Sequence, residues 1–228
     1  MNTTSQETYR ETGRQEMAAA KMVRGGSLAG GIVGGVAAIL AVIGLGNIMP
    51  ELMIPLATIA LGAAFLFEGG AIATRFSDLL AETSKGRYEV PQLGAGLTVE
   101  VVGGVVGAIL GILAILNVSP MVLAPIAALV YGLTMIIGSG VTSRLDSLLI
   151  ARSGEHKTIG KVAHEAVEVS AGVQMFLGLA AVILGILSLV GINPTVMSLV
   201  AVLCVGFAEL LVGTAISARM WSVIFHAA

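Results

Sequence analysis

Long apolar runs alternate with short polar segments along the chain. Charge-free stretches extend from Gly25 to Pro50, from Val101 to Ser143 and from Val169 to Ala208. A membrane-spanning helix needs about 20 mostly apolar residues, so the second and third runs are each long enough for nearly two spans. The pattern predicts an integral membrane protein.

Three short turn signals divide these runs into helices. Segments 47–50, 117–120 and 191–194 each place Asn or Gly three residues before a proline, which ends one helix and begins the next. The predicted fold is therefore all-α, with six transmembrane helices arranged as three helical hairpins. Their expected positions are roughly residues 26–47, 51–74, 97–117, 120–143, 168–190 and 194–218.

The three hairpins share a common register when they are aligned on Pro50, Pro120 and Pro194. A glycine lies sixteen residues before each proline and another lies twelve residues after it. These repeat-packing glycines are Gly34, Gly104 and Gly178 before the prolines and Gly62, Gly132 and Gly206 after them. The register predicts three parallel copies of one hairpin, related by a quasi-threefold axis along the membrane normal.

The basic residues predict the orientation. All 12 lie in segments 1–24, 75–87 and 144–161 or at Arg219, and none is near a proline turn. Because Lys and Arg favour the cytoplasmic side, both termini are expected to be cytoplasmic. The expected organisation is a polar cytoplasmic segment 1–24, hairpin 25–75, cytoplasmic linker 76–96, hairpin 97–144, cytoplasmic linker 145–167, hairpin 168–219 and tail 220–228.

Segment 1–24 and the helix after it lack the features of a secretory signal peptide. The segment is polar and of nearly balanced charge, and the apolar stretch that follows exceeds 20 residues. A solvated tail is favoured, with a surface helix as the alternative.

Composition excludes a soluble globule, because 56% of residues are apolar and only 11% are charged, against about 25% in soluble proteins. The scattered basic residues form no stripe for a phosphate backbone, so no nucleic-acid partner is expected. A single cysteine, Cys204, excludes an internal disulfide. We predict no cofactor, no metal site and no catalytic residues, and therefore no enzyme.

Two carboxyl groups are candidates for proton or ligand binding inside the membrane. Glu209 follows Pro194 by fifteen residues, which places it about 22 Å from the turn and within the hydrocarbon layer. An ionisable group there costs about 3 kcal/mol, so it should face the bundle and either pair or stay protonated. A neutral acid that only supports packing is the alternative. Glu68 follows Pro50 by eighteen residues, about 27 Å, close to the inner boundary.

Two further acids are expected at helix entries. Glu100 and Glu168 each lie between two valines where the third and fifth helices are predicted to begin. The helix dipole stabilises a carboxylate there without any further function. His164 and Glu165 lie near Glu168, but these groups are too few for a zinc site.

Closely spaced glycines predict tight helix contacts. Gly30, Gly34, Gly31 and Gly35 form two overlapping small-residue pairs, and Gly103, Gly107 and Gly111 form a run of three. Such faces allow close approach either within one chain or between subunits. Besides the lipid bilayer, the expected partners are therefore a second copy of the chain or other membrane subunits.

The pattern of glycine-bearing helix, proline turn and glycine twelve residues later, found three times, resembles the HdeD family of bacterial inner-membrane proteins. The closest match is 178–219, with Pro194, Gly206 and Glu209, and the resemblance extends over about 26–219. It implies a six-span, three-repeat protein of the inner membrane, a role of the acid-stress type, and no defined catalytic residues.

Two functions remain open at this level. The first is a structural or stress-adaptation component that acts through assembly in the bilayer. The alternative is a proton-linked small-solute transporter or channel that uses Glu209 and Glu68. A through-path needs polar groups in both leaflets, whereas every acid within the spans lies at or inward of mid-depth. This asymmetry favours the first function.

Overall fold

The protein is all-helical over the part of the chain that the structure, a computed structural model, describes. The backbone is described for residues 26–83, 90–152 and 159–226, and the side chains for 26–70, 99–139 and 172–214. Six α-helices are present in these ranges, without any strand. They are α1 Gly26–Leu45, α2 Pro50–Thr83, α3 Val90–Ile115, α4 Pro120–Arg152, α5 Ile159–Leu189 and α6 Pro194–His226. The predicted all-α class is confirmed.

Five of the helices are long and apolar enough to cross a membrane, namely α1, α2, α4, α5 and α6. In α3 the described apolar stretch, Val99–Ile115, is shorter. The chain is a multi-pass membrane protein.

The three proline turns have the same backbone geometry. Asn47, Asn117 and Gly191 adopt left-handed φ values of 62°, 62° and 91°. In each turn the N–H of this residue donates to the carbonyl three residues back, at 3.0–3.1 Å. Asn and Gly are the residues that tolerate this conformation at a helix C-terminus. The helix ends at these turns therefore lie within two residues of the predicted ones.

At the other side of the bundle the helices run well past their predicted ends. α2 continues to Thr83 and α4 to Arg152, while α3 begins at Val90 and α5 at Ile159. Most of the predicted linkers 76–96 and 145–167 is therefore helical. Hydropathy marks where a helix is apolar, and a helix that leaves the apolar layer continues until a breaker or cap stops it. The predicted tail segment 1–24 lies outside the described residues.

Helices α2, α4 and α6 form the inner layer of the bundle. They contact one another, and 50–56% of their apolar spans is buried, against 33% for α1 and 28% for α5. The other helices pack around them: α3 contacts α2 and α4, and α5 contacts α4 and α6. α1 lies against α2 at Gly30 and against α6 at Gly34.

Three glycine pairs at equivalent positions bring inner and outer helices into close backbone contact. They are Gly34 with Gly206, Gly104 with Gly62 and Gly178 with Gly132, which join α1 to α6, α3 to α2 and α5 to α4. A methyl group at the outer-helix member of each pair would stand 2.9–3.2 Å from the carbonyl oxygen of its partner. Contact this close between backbones is a main source of helix association in lipid. Each pair joins two different hairpins.

Aromatic packing fills the interior beside α3. The rings of Tyr131 on α4 and Phe65 on α2 stack with centroids 5.3 Å apart. The Tyr131 hydroxyl donates a 2.6 Å hydrogen bond to the Thr58 carbonyl oxygen on α2. Gly107 on α3 makes room for this ring, because a methyl group there would overlap it, and Gly103 does the same for Thr134. The run of glycines in α3 therefore faces helices of the same chain.

Candidate functional site

Glu209 on α6 lies inside the bundle, with 1% of its surface exposed. It packs against Gly34 of α1, where a methyl group would overlap the Cβ of Glu209. The glycine pair that holds α1 against α6 therefore also makes the room for this carboxyl. The side chain faces the bundle, as predicted for an ionisable group within the hydrocarbon layer.

Glu68 on α2 lies beside Glu209. It is 7% exposed, and the two residues lie against adjacent glycines of α1: a methyl group at Gly30 would stand 3.7 Å from the Glu68 backbone nitrogen, and one at Gly31 would stand 3.5 Å from the Glu209 carbonyl oxygen. Neither carboxylate has a donor, so a hydrogen bond between them requires a proton on one of the two. The two candidate carboxyls that the sequence places on separate hairpins thus form one pair.

Glu100 on α3 is the third member of this group and is 2% exposed. It lies beside Gly69, the neighbour of Glu68 on α2, where a methyl group would stand 3.6 Å from the Glu100 Cβ. It packs against Gly138 of α4, where a methyl group would stand 2.9 Å from Glu100 Oε1. The prediction that Glu100 is a helix-entry acid is wrong, because α3 begins at Val90 and the dipole effect is confined to the first turn.

The same correction applies to Glu168. α5 begins at Ile159, so Glu168 lies more than two turns inside the helix and the dipole does not explain it. The side chains of Glu168, His164 and Glu165 lie outside those that the structure describes.

Glu68, Glu100 and Glu209 are called the glutamate cluster below. Glu68 on α2 lies between the other two, because it shares the Gly30–Gly31 segment of α1 with Glu209 and its neighbour Gly69 contacts Glu100 of α3. Each carboxyl keeps one oxygen without a hydrogen-bond partner in the described part of the chain: Glu68 Oε2, Glu100 Oε2 and Glu209 Oε1. Buried polar atoms are normally paired, so three open acceptors in one group are unusual.

No Lys, Arg or His belongs to the side chains that the structure describes, so none of these compensates the cluster there. Three carboxylates this close in an apolar interior would repel one another and lose their hydration. The arrangement therefore requires neutralisation by protons or by a bound cation. Within the described residues no group of three His, Cys, Asp or Glu side chains is placed to hold a metal ion.

Between the glutamate cluster and the proline turns, side chains fill the interior of the bundle. Leu61, Tyr131 and Val205 each lie eleven residues after the proline of their hairpin, and all three are fully buried. The Tyr131 hydroxyl is engaged with Thr58. The glutamate cluster is therefore followed by packed apolar and aromatic side chains on the side of the turns.

Sequence reasoning identified the three acids but not their association. Glu100 lies twenty residues before Pro120, as Gly30 does before Pro50, while Gly138 and Glu68 each lie eighteen residues after these prolines. In the first hairpin Gly30 faces the backbone of Glu68, and in the second Glu100 faces Gly138. The first hairpin thus has glycine before the turn and glutamate after it, and the second hairpin has the reverse at the equivalent positions. Alignment of the hairpins on their prolines could therefore have shown that Glu68 and Glu100 lie at the same depth.

Comparison with known proteins finds no match: no protein family, curated protein or solved structure is similar to the chain. The following proposal is built on the packing of the bundle and on the glutamate cluster.

Proposed function

We propose that the chain is an HdeD-like protein of the bacterial inner membrane that serves as a structural, stress-adaptation component. It is built from three parallel hairpins around a quasi-threefold axis, has both termini in the cytoplasm, and acts through its assembly in the bilayer rather than by conducting a solute.

Two features support the threefold architecture. The proline turns have matching backbone geometry at equivalent positions. The glycine pairs, at equivalent positions again, link each hairpin to the next, and the pair Gly34 with Gly206 links the first helix to the last. These links support a closed ring of three units.

The observation that carries the non-conducting function is the filled interior between the glutamate cluster and the turns. Leu61, Tyr131 and Val205 are completely buried at this level. A transport path needs polar groups through both leaflets, and the buried acids of the described spans lie only in the half remote from the turns.

The glutamate cluster itself favours a second candidate, a proton-linked transporter in which Glu209 and Glu68 carry the proton. Buried intramembrane carboxyls are characteristic of proton paths. In that case the packed level would have to open during a transport cycle.

Reconstitution distinguishes the two candidates. The purified full-length protein is placed in liposomes that contain a pH-sensitive dye, and an acid step is applied outside. We expect the internal pH to change no faster than in protein-free liposomes, with a proton ionophore as the positive control. A faster change that Glu209→Gln removes and Glu51→Gln retains would support the transporter instead.

The stress role has its own test. Deleting the gene in its natural host should lower survival of an acid challenge, and the wild-type gene should restore it. A variant with a disrupted α1–α6 contact, Gly34→Leu, should be unable to restore survival. Equal survival of the deletion strain and the parent would refute the acid-stress role.

A further inference from the structure

The glutamate cluster has two properties that a purely structural role leaves unexplained. Its three carboxyl groups are at least nine-tenths buried, yet each keeps an oxygen without a partner in the described part of the chain. In addition, Gly34 and Gly138 supply the space that Glu209 and Glu100 occupy. The packing is thus shaped around acids whose hydrogen-bonding capacity is not used up within the protein.

The surroundings point to a proton as the ligand. Glu68 and Glu209 are both buried against the adjacent glycines Gly30 and Gly31 of α1, and two carboxyl groups this close in an apolar interior are stabilised by a proton between them. Metal binding would need several oxygens converging on one point, and the described residues contain no such group.

The other titratable groups near the cluster are few. Over their described side chains, α1 and α5 have none, α4 has Tyr131 and α6 has Cys204 besides Glu209. The Tyr131 hydroxyl donates to Thr58, and Cys204 lies alone and half-buried. The charged residues further along these helices lie outside the described side chains: Arg75, Asp78 and Glu82 on α2, Arg144, Asp146 and Arg152 on α4, Lys161, His164, Glu165 and Glu168 on α5, and Arg219 and His226 on α6.

Depth indicates the side from which the site is reached. Glu68 and Gly138, which faces Glu100, both lie eighteen residues after a proline, or about 27 Å from the turns. Glu209 lies about 22 Å from the turns, roughly one helical turn deeper in the bilayer. The hydrocarbon layer is about 30 Å thick, so Glu68 and Glu100 are near the boundary opposite the turns.

We propose that Glu68, Glu100 and Glu209 form a single proton-binding site, reached from the aqueous phase opposite the proline turns and closed towards the turns. Glu68 and Glu209 share a proton, and Glu100 is the third carboxyl of the site. This inference goes beyond the proposed function, because the site exists whether or not the protein conducts.

The site couples pH on one side of the membrane to helix packing. Loss of the shared proton leaves two like charges facing each other between α2 and α6, where a low dielectric strengthens their repulsion. Glu209 also rests on Gly34, so displacement of its side chain acts on the contact between α1 and α6.

Infrared spectroscopy of the full-length protein in lipid bilayers tests the site. Protonated carboxyl groups have a C=O stretching band that is separate from the carboxylate bands and shifts when water is exchanged for D₂O. We expect the wild-type protein to show this band at neutral pH and to lose it reversibly as the pH is raised. Glu68→Gln or Glu209→Gln should alter the band, and the double variant should lose it down to any contribution of Glu100.

Glu51→Gln is the matched control, because Glu51 is exposed in the first turn of α2. Its band should equal that of the wild type. A wild-type spectrum without the band at neutral pH would overturn the proposal even if no variant folds. So would a band that the double variant retains in full, or one that disappears when sodium replaces choline at constant pH, since the ligand would then be a metal cation. None of these outcomes depends on whether protons cross the liposome membrane, so failure here is distinct from failure of the non-conducting function.

Discussion

Gly34 on α1 lies directly against Gly206 on α6, so that a methyl group at Gly206 would stand 2.7 Å from the Gly34 carbonyl oxygen. This contact joins the first described helix of the chain to the last. Equivalent contacts join α3 to α2 and α5 to α4, and all three occur between hairpins rather than within them. The account therefore depends on close glycine contacts, and these are testable one at a time.

Replacing Gly104 with alanine should destabilise the bundle. The added methyl group would stand 2.9 Å from the Gly62 carbonyl oxygen, and the α2 backbone can shift away only at the expense of its own packing. We expect the free energy of unfolding to fall by about 1–3 kcal/mol, as is typical of overpacking. The measurement is unfolding from mild detergent into a denaturing one.

Gly172→Ala is the matched control for this substitution. Gly172 is an exposed glycine of α5, and a methyl group there would meet nothing within 4 Å. Stability should stay equal or rise by up to about 1 kcal/mol, because alanine has the higher helix propensity. Equal effects of the two substitutions would show that Gly104 is not at a close contact.

Tyr131 should be needed for its ring more than for its hydroxyl. Tyr131→Phe removes the hydrogen bond to Thr58 but keeps the stack on Phe65, so we expect a loss of about 1 kcal/mol. Tyr131→Ala leaves a cavity beside Gly107 and should cost about 3–5 kcal/mol. Phe176→Ala serves as the control, since Phe176 is 71% exposed, and it should have a much smaller effect.

Glu209 should tolerate glutamine better than leucine. Glutamine keeps a donor towards Glu68, whereas leucine leaves the buried Glu68 carboxyl without its partner and should cost about 1–3 kcal/mol. Equal stability of the wild-type protein and Glu209→Leu would contradict the observed pairing.

Stability should also depend on pH through this pair. Because Glu68 and Glu209 are buried side by side and are proposed to share a proton, alkaline conditions that remove it bring two negative charges together inside the bundle. The thermal midpoint Tm of the wild type should therefore fall as the pH is raised. Glu68→Gln, which retains a single carboxyl in this pair, should show a smaller fall, and an equal fall in both would exclude the pair as its source.

The orientation rests on the distribution of basic residues and is tested by cysteine labelling in a Cys204→Ser background. Asn117 and Gly191 have left-handed φ values, so the neighbouring exposed residues Val118 and Ile192 are the better sites. Cysteines there should react with an impermeant thiol reagent outside the cell, and one at Thr83 should not. The reverse pattern would place the termini outside.

The turn side of the bundle could be predicted from the sequence because its signals are chemical and local. A left-handed Asn or Gly followed by proline fixes where one helix ends and the next begins. At the opposite side the helix ends were predicted from hydropathy, and the apolar stretches stop several residues before the helices do. Pro91, in the first turn of α3, and Gly154, soon after the end of α4, were the cues for the true ends.

The candidate site was predicted as separate residues and not as a cluster. Burial of Glu209 follows from hydropathy alone, since exposure of a carboxyl group to lipid has a high free-energy cost. Its pairing with Glu68 depends on which helices are neighbours, and each hairpin taken alone contains no such information. Glu100 was explained by the helix dipole because the predicted start of α3, residue 97, is seven residues later than the observed one, Val90.

The most direct test of the account is the geometry of the three hairpins. Ile48, Val118 and Ile192 each lie two residues before the proline of their hairpin and are 58%, 50% and 47% exposed. Spin labels are attached to these positions two at a time in the Cys204→Ser protein, and the three distances are measured by double electron–electron resonance in lipid bilayers. A closed ring of three equivalent hairpins predicts three distances that are equal to within the length of the spin-label side chain. One distance that exceeds the other two by more than a helix diameter, about 10 Å, would contradict it.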